Sequence, residues 1–207
     1  MKKIFKLSYV LLTLGLAIGC TGDEEIPPYK QQFFSQTFED QTAGSGSTEI
    51  PINIEGWTNY NTLGTRKWIC KTFNSSKFAE FSSFYSAAGT SDETWLITSK
   101  IDFTKTEMET LNFDLESRYS NGAIFKVLVS TDFDETTAGI ATATWTEIIV
   151  PTLPTVDNVF VNSGLIDISS NNYNSDNVHI AFKYIGSKAD NKTTTFQLDN
   201  IKLFENK

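Results

Sequence analysis

Residues that could carry out chemistry are few. The chain has one histidine, His179, and two cysteines, Cys20 and Cys70, beside 25 acidic residues. A serine or cysteine nucleophile needs a neighbouring base, and His179 falls within an alternating, strand-like run. No Gly-rich phosphate loop, HExxH or CxxC pattern occurs, and a single histidine excludes His-rich metal centres. We therefore predict that the protein is not an enzyme.

Carboxylates leave one catalytic alternative open. Glycoside hydrolysis needs only two of them, and the chain has 25 Asp and Glu residues. However, it lacks a clustered motif such as Glu-x-Asp-x-x-Glu, which one large group of glycosidases carries. We rank a glycoside hydrolase or lyase third among the functions considered.

Aromatic side chains are the other residues that could bind a ligand. Sugar rings present C–H faces that stack on flat side chains, while their hydroxyls need polar partners. Aromatic and polar residues are mixed in Trp-Thr-Asn-Tyr-Asn at 57–61 and Arg-Tyr-Ser-Asn at 118–121. We predict Tyr60, Tyr119 and Trp57 as ligand-binding residues, although a core position is favoured for Trp57. The tryptophans predicted to pack in the core are Trp68, Trp95 and Trp145.

Alternation of apolar and polar residues predicts the elements that position these side chains. It is clearest in 111–116, 125–129 and 178–184, and period-two alternation is typical of a strand with one buried face. Further strand candidates are 33–39, 68–73, 77–85, 94–98, 145–150, 164–169 and 194–204. The sequence Ser120-Asn121-Gly122 predicts a hairpin turn. No segment of this range has an apolar stripe of helical period longer than two turns. We therefore predict that residues 33–207 form one all-β domain, a two-sheet β-sandwich.

The last predicted strand contains a break in its alternation. Phe196 and Leu198 share one face, whereas Ile201 and Leu203 have the opposite parity. A β-bulge at 199–200 would produce this shift and would re-aim an aspartate. Pairing of the strand with both sheets explains the shift equally well.

The N-terminal segment has the pattern of an export signal. A basic start precedes an apolar block that is too short to span a bilayer, which takes about 20 residues. Leu16-Ala17-Ile18-Gly19-Cys20 resembles a bacterial lipobox, in which the cysteine is acylated; an ordinary secretory signal is the alternative. We predict a lipoprotein signal peptide over 1–19 and lipidation at Cys20.

An acidic segment follows the predicted anchor. Asp23, Glu24 and Glu25 come directly after Cys20, and we interpret residues 20–32 as a lipid-anchored tether. This arrangement resembles the signal that sends some Gram-negative lipoproteins to the outer face of the outer membrane; a plain solvated linker would also be acidic. We predict a lipid-anchored outer-membrane protein that faces the cell exterior.

Charge and cysteine content limit the partners. The formal charge is −8, and removal of residues 1–19, with three lysines and no acid, changes it to −11. Phosphate binding needs clustered Lys and Arg, and no cluster is present, so we predict no nucleic-acid partner. Since Cys20 is assigned to the anchor, Cys70 has no disulfide partner and is predicted to be a buried thiol.

An ordered series of short motifs spans residues 34–204. Its members include Phe38-Glu39, Gly56-Trp57, Trp68, Ser82-Ser83, Trp95-Leu96-Ile97-Thr98, Ile101-Asp102-Phe103, Leu111-Asn112-Phe113, Val127-Leu128-Val129, Trp145, Ile166-Asp167-Ile168, Val178-His179-Ile180 and Leu198-Asp199-Asn200-Ile201. In order and spacing the series resembles the cleaved-adhesin and choice-of-anchor-J domains of bacterial surface proteins. This resemblance implies a jelly-roll sandwich, related in architecture to MAM domains and to many carbohydrate-binding modules.

The resemblance also implies a structural calcium ion between the first and last strands. The matching positions are Glu39 and Asp199, with Asp40 as an addition. Calcium takes six to eight oxygen ligands, so backbone carbonyls would have to contribute. The alternative is that these acids are solvated or ion-paired at strand ends.

The combined prediction is a non-catalytic, surface-exposed lipoprotein that binds carbohydrate, in glycan capture or adhesion. The alternative is a protein-interaction module without a sugar site, with a cell-surface protein as its partner. The functional part depends on analogy between folds, and sandwiches host many activities. The oligomeric state is left open.

Overall fold

The computed structural model describes residues 30–44 and 46–206, and in them twelve strands form two sheets. The strands are β1 (Lys30–Gln36), β2 (Thr58–Leu63), β3 (Ile69–Phe73), β4 (Ser76–Phe81), β5 (Ser91–Ile97), β6 (Thr110–Arg118), β7 (Ile124–Ser130), β8 (Thr146–Ile148), β9 (Val161–Asn162), β10 (Ile166–Asp167), β11 (His179–Ser187) and β12 (Thr195–Asn206). A short helix α1 (Gly139–Thr142) and the 3-10 turns Ser83–Tyr85, Phe103–Lys105 and Asn171–Tyr173 complete the elements.

Both sheets are antiparallel. The seven-stranded sheet has the order β10-β6-β12-β4-β3, with β1 also beside β12 and β9 also beside β6; the five-stranded sheet has the order β2-β5-β11-β7-β8. The chain crosses repeatedly from one sheet to the other, as a jelly roll requires. The predicted all-β, two-sheet jelly roll is confirmed.

The main core lies between the sheets and is built from the alternating runs. Phe113 of β6 and Phe182 of β11 are fully buried, and their ring centroids lie 5.5 Å apart across the sandwich. Trp68 is also fully buried against Phe81, as predicted for a core tryptophan. Interlocked aromatic side chains of this kind stabilise the two-layer arrangement.

A second apolar cluster covers the outer face of the five-stranded sheet. Trp95 of β5 contacts Trp145, with 5.3 Å between ring centroids. Phe133 and Ile140, from the segment between β7 and β8, close over them. Both tryptophans therefore pack, as predicted, but outside the main core. The short helix α1, which alternation alone did not predict, belongs to this covering segment.

The break in the last strand is a β-bulge. The register of β12 against β6 shifts between Asp199 and Lys202, and Asn200 has a φ of 51°. All described partners of β12, namely β1, β4 and β6, belong to the seven-stranded sheet. The bulge prediction is confirmed, and pairing with both sheets does not occur.

The hairpin predicted at 120–122 is wrong. The strand before it, β6, belongs to the seven-stranded sheet, whereas β7 belongs to the five-stranded one. The turn therefore carries the chain between sheets. Alternation identifies two strands without showing their partners. Here β6 pairs with β12 and β7 pairs with β11, and neither pairs with the other.

Three other boundaries differ from the predictions. β1 begins at Lys30, inside the predicted tether, because its first residues pair with the end of β12. The stretch 57–61, interpreted as a loop, lies mostly in the edge strand β2, which pairs with β5. The predicted strand 77–85 ends at Phe81, where the chain turns into a 3-10 segment.

Candidate functional site

Three aromatic rings stand exposed around one cavity. Phe84, Tyr85 and Tyr119 are 57%, 62% and 73% exposed, and a cluster of exposed rings is a mark of a binding surface. The cavity they border has a volume of about 420 Å³. Its other lining residues are Asn121, Asn191, Thr193 and Thr195. We call these seven residues the aromatic cavity.

Two turns bring the rings to this position. Ser82 caps the 3-10 turn Ser83–Tyr85, since its hydroxyl accepts the backbone N–H of Phe84 at 3.2 Å. The rings of Phe84 and Tyr85 then meet edge to face, with 5.2 Å between centroids. Tyr119 follows β6 with a φ of 54°, a left-handed conformation that ends the strand.

Asn121 fastens the Tyr119 turn to the loop between β11 and β12. Its backbone N–H donates to Thr194 Oγ1 at 2.9 Å, its Nδ2 donates to Thr193 Oγ1 at 2.8 Å, and its Oδ1 accepts the Thr193 N–H at 2.6 Å. Because donor and acceptor of one amide are both used, the turn and the loop keep a fixed relative position.

Asp157 supports the same turn from the other side. Its carboxylate accepts Ser120 Oγ at 2.5 Å and the Ser120 N–H at 3.0 Å. The hydrogen bonds from Ser120, with a weaker one from Ser117, lower the pKa of the Asp157 carboxyl. The ionised carboxylate is therefore part of what holds Tyr119 in place.

A cation lies against each ring of the aromatic cavity. The contacts to ring centroids are Lys188 to Phe84 at 4.0 Å, Arg66 to Tyr85 at 5.4 Å and Arg118 to Tyr119 at 5.9 Å. Cation–π contacts hold a ring from one side. The rings are thus oriented before any ligand arrives.

The lining of the cavity combines aromatic ring faces with amide and hydroxyl groups. None of its seven described lining residues is Asp, Glu, His or Lys. The ring faces can accept an apolar surface, while amides and hydroxyls can hydrogen-bond to a polar rim. A small molecule with C–H faces and several hydroxyls matches both features.

The other predicted ligand stretch, 57–61, has a different environment. Trp57 stacks on Phe34, with 6.3 Å between ring centroids. The side-chain amide of Asn59 hydrogen-bonds to the backbone. Its Nδ2 donates to Ile52 O at 3.0 Å and to Trp68 O at 2.8 Å, and its Oδ1 accepts the Trp68 N–H at 3.0 Å. These two side chains hold the fold together.

Tyr60 is half-buried and packs against the second apolar cluster. It borders, with Trp57, Lys67 and Glu135, a cavity of about 400 Å³. Tyr60 and Tyr119 do not line the same cavity, because Tyr119 borders the aromatic cavity.

Glu39 and Asp199, the predicted calcium ligands, belong to the turn after β1 and to the bulge of β12. Burial raises the pKa of Asp199 to about 6, and the charges of Glu39 and Asp114 act in the same direction. Within the described residues, no group of three or more His, Cys, Asp or Glu side chains is arranged to hold a metal ion. Asp40 is exposed at this turn. Calcium binding by Glu39 and Asp199 stays a prediction.

His179 and Cys70 have structural surroundings. His179 is completely buried with Nδ1 2.9 Å from Thr98 O, and burial lowers the pKa of its imidazole. Cys70 is a buried free thiol, as predicted, and burial raises its pKa to about 11. The two residues belong to different sheets, so they do not form a nucleophile–base pair.

The predicted signal peptide, the anchor at Cys20 and residues 20–29 of the tether lie outside the described residues. Residues 30–32 of the predicted tether belong to β1. Within 30–44 and 46–206, no helix has the length and apolar character needed to cross a membrane.

Sequence reasoning missed Phe84 and Tyr85. We predicted a strand through residue 85, but two adjacent large aromatics break period-two alternation, and small residues follow at 86–89. That combination is typical of a turn that exposes its side chains. It was the signal that could have placed both rings on the surface.

Comparison with protein families identifies one matching model. Residues 104–206, from just before β6 to the end of β12, match the family described as a domain of unknown function, DUF5017. No relative is found among curated protein sequences.

Solved structures with a similar fold include two cleaved adhesin domains. A cleaved adhesin domain of Lys-gingipain from Porphyromonas gingivalis has a TM-score of 0.50 at 15% identity, over 84% of this chain and 98% of that one. A second cleaved adhesin domain of the same protein has a TM-score of 0.50 at 14% identity, over 84% and 99%. The carbohydrate-binding module TmCBM61, solved with β-1,4-galactotriose, has a TM-score of 0.46 at 12% identity, over 73% and 89%. The cleaved-adhesin type of fold, implied by the sequence motifs, is confirmed.

Proposed function

We propose that the protein is a non-catalytic carbohydrate-binding module whose ligand binds in the aromatic cavity. The observation that carries the proposal is the grouping of three exposed rings, Phe84, Tyr85 and Tyr119, beside amide and hydroxyl groups. Sugars combine C–H faces with hydroxyls, so rings and polar groups on one surface meet both requirements.

Rigidity of the cavity supports this proposal. The Tyr119 turn is tied to the β11–β12 loop through Asn121, and a cation orients each ring. A site that is ordered before binding loses less conformational entropy when a ligand arrives. Exposed rings held this firmly suit recognition better than they suit packing.

Attachment to the cell surface is the second part of the proposal. Two segments support this attachment, namely the lipobox-like segment ending at Cys20 and the acids that follow it. Together they favour a lipid anchor in the outer membrane, with the protein facing the exterior. There the module would meet a glycan or a cell-surface protein. Capture or adhesion follows from that position.

A protein partner is the alternative, and one feature favours it. The connection between β8 and β10 exposes a series of aliphatic side chains, among them Ile149, Val156 and Leu165 at 87%, 63% and 52%. Exposed apolar groups along one segment are typical of a surface that another protein covers. None of these three side chains lines the aromatic cavity, although Asp157 of the same segment holds the Tyr119 turn.

A glycan array tests the proposal. The chain from residue 21 onward is applied to immobilised plant, host and microbial glycans, and the best ligand is then titrated by calorimetry. We expect Tyr119→Ala to weaken binding about tenfold, since losing one stacked ring costs on the order of 1.4 kcal/mol. Phe84→Ala should act in the same direction.

The matched control is Phe73→Ala. Phe73 is 68% exposed, similar to Tyr119, but it is the last residue of β3 and does not line the cavity. Its replacement should leave affinity unchanged. Equal losses in both variants, or none in Tyr119→Ala, would show that the sugar binds elsewhere. If no glycan is retained, the protein-partner alternative replaces the proposal, and the aliphatic segment becomes the surface to mutate.

A further inference from the structure

β12 changes its neighbour on one side at the bulge. Residues 201–206 of β12 pair with β1, and residues 196–198 pair with β4. Asp199 and Asn200 lie between these two stretches. On that side the sheet therefore has a gap, which the turn following β1 fills.

Lys77, near the start of β4, closes this gap with its side-chain ammonium and its backbone N–H. Its Nζ donates to Glu39 O and to Gln41 O, each at 2.7 Å. Its backbone N–H donates to Glu39 Oε1 at 2.9 Å. The turn after β1 is thus held by one half-buried lysine, which presents a positive charge to two carbonyl oxygens.

Two backbone carbonyls next to carboxylates are the oxygen ligands that a calcium ion uses. The family resemblance assigns calcium to the carboxylate of Glu39, in this turn, and to that of Asp199, at the bulge of β12. Here, however, the carbonyl pair already binds an ammonium group. An ammonium is a compact cation with three donors, so the donor set as it stands suits Lys77 rather than a divalent ion.

We propose that the Lys77 ammonium takes the place of a structural metal ion at this site. The fold is then stabilised by an internal cation and needs no divalent metal. In the same position, a chain without this lysine would leave the carbonyls of Glu39 and Gln41 without this donor, beside the carboxylate of Glu39, and would gain a site for calcium.

The first test uses the unmodified protein. Its melting temperature is measured in excess EDTA and in 5 mM calcium chloride, and calcium is titrated into it by calorimetry. We expect the same melting temperature and no heat of binding, since a ligand that binds only the folded state must raise its stability. A higher melting temperature in calcium would overturn the proposal and establish the predicted calcium site.

The second test compares Lys77→Met with Lys71→Met. Lys71 lies on the neighbouring strand β3, and its Nζ donates to a single carbonyl, Gly46 O, at 3.1 Å. In EDTA, Lys77→Met should melt lower by on the order of 5 °C and should recover part of this loss in calcium. Lys71→Met should change the melting temperature little, and calcium should not alter the melting temperature of this variant.

Two results would overturn the proposal that Lys77 takes the place of a metal ion. One is a Lys77→Met variant that melts like Lys71→Met. The other is a destabilised Lys77→Met that calcium does not restore. If Lys77→Met does not fold, a higher melting temperature of the unmodified protein in calcium would still overturn the proposal.

Discussion

The stretches around Tyr119 and Tyr60 are similar in composition, yet they have different environments. Both combine aromatic residues with asparagine. Tyr119 lies on a turn between the two sheets and is 73% exposed, whereas Tyr60 lies in the edge strand β2 and packs on the second apolar cluster. Composition identified both as candidates, and the difference arises from strand pairing.

Pairing decides the outcome because a strand directs alternate side chains to fixed faces. Because β2 pairs with β5, the Tyr60 side chain faces the second apolar cluster. A turn has no such constraint, and Tyr119, with its left-handed backbone, keeps its ring exposed. The comparison indicates that a mixed aromatic and polar stretch keeps its ring exposed for a ligand where the chain leaves a sheet.

The largest expected effect is on stability in the Trp57 region. Trp57→Ala removes a half-buried ring that stacks on Phe34 and contacts Phe38 edge to face. We expect the free energy of unfolding to fall by about 2–3 kcal/mol, with glycan affinity unchanged. Urea denaturation and calorimetric titration measure the two quantities.

Tyr119→Ala should show the reverse pattern. Its ring is exposed, so the free energy of unfolding should change by less than about 0.5 kcal/mol while glycan affinity falls. If Trp57→Ala weakens glycan binding as strongly as Tyr119→Ala does, the separation of the two regions is wrong.

The next effect compares two structural amides. Asn121→Ala and Asn59→Ala each remove several hydrogen bonds to backbone or hydroxyl groups. We expect each variant to lose about 2 kcal/mol of unfolding free energy. Only Asn121→Ala should also reduce glycan affinity, several-fold, because it releases the loop that lines the cavity. Equal affinities in the two variants would contradict the positioning role of Asn121.

The smallest effect is a pH dependence of the Tyr119 turn. Hydrogen bonds from Ser120 lower the pKa of Asp157 in the folded chain, so its contribution is present above the unfolded value of about 4 and is lost as pH falls through the folded value. Glycan affinity should be constant between pH 5 and 7 and weaken below about pH 4.

Asp157→Asn is the control for this titration. It keeps one oxygen acceptor but cannot ionise, so its affinity should lack the acid step that the unmodified protein shows. An identical acid step in both proteins would assign the effect to other carboxyls. Surface plasmon resonance at graded pH measures it.

Much of the fold could be predicted because its signals are local. Alternation located most of the long strands, and the parity break placed the bulge at Asp199. The partner of each strand could not be predicted in the same way. Ser120-Asn121-Gly122 has the residue types of a hairpin turn, but long-range pairing assigns its two flanking strands to different sheets.

The candidate site was predictable only in part for the same reason. Tyr119 was found from its turn-like neighbours, whereas Phe84 and Tyr85 were assigned to a strand. Their meeting with Tyr119 depends on contacts of the 188–195 loop, which is far away in the sequence. No local pattern encodes that proximity.

The position of β12 has a consequence for how the chain folds as it is made. β12 lies between β6 on one side and β4 and β1 on the other. Until residues 195–206 have been synthesised, the strands on its two sides have nothing between them to pair with. Closing such distant pairings is slow, because chain entropy is lost before contacts form. The seven-stranded sheet is therefore completed only after the ribosome has passed this segment, and a chain truncated before residue 195 should fail to fold.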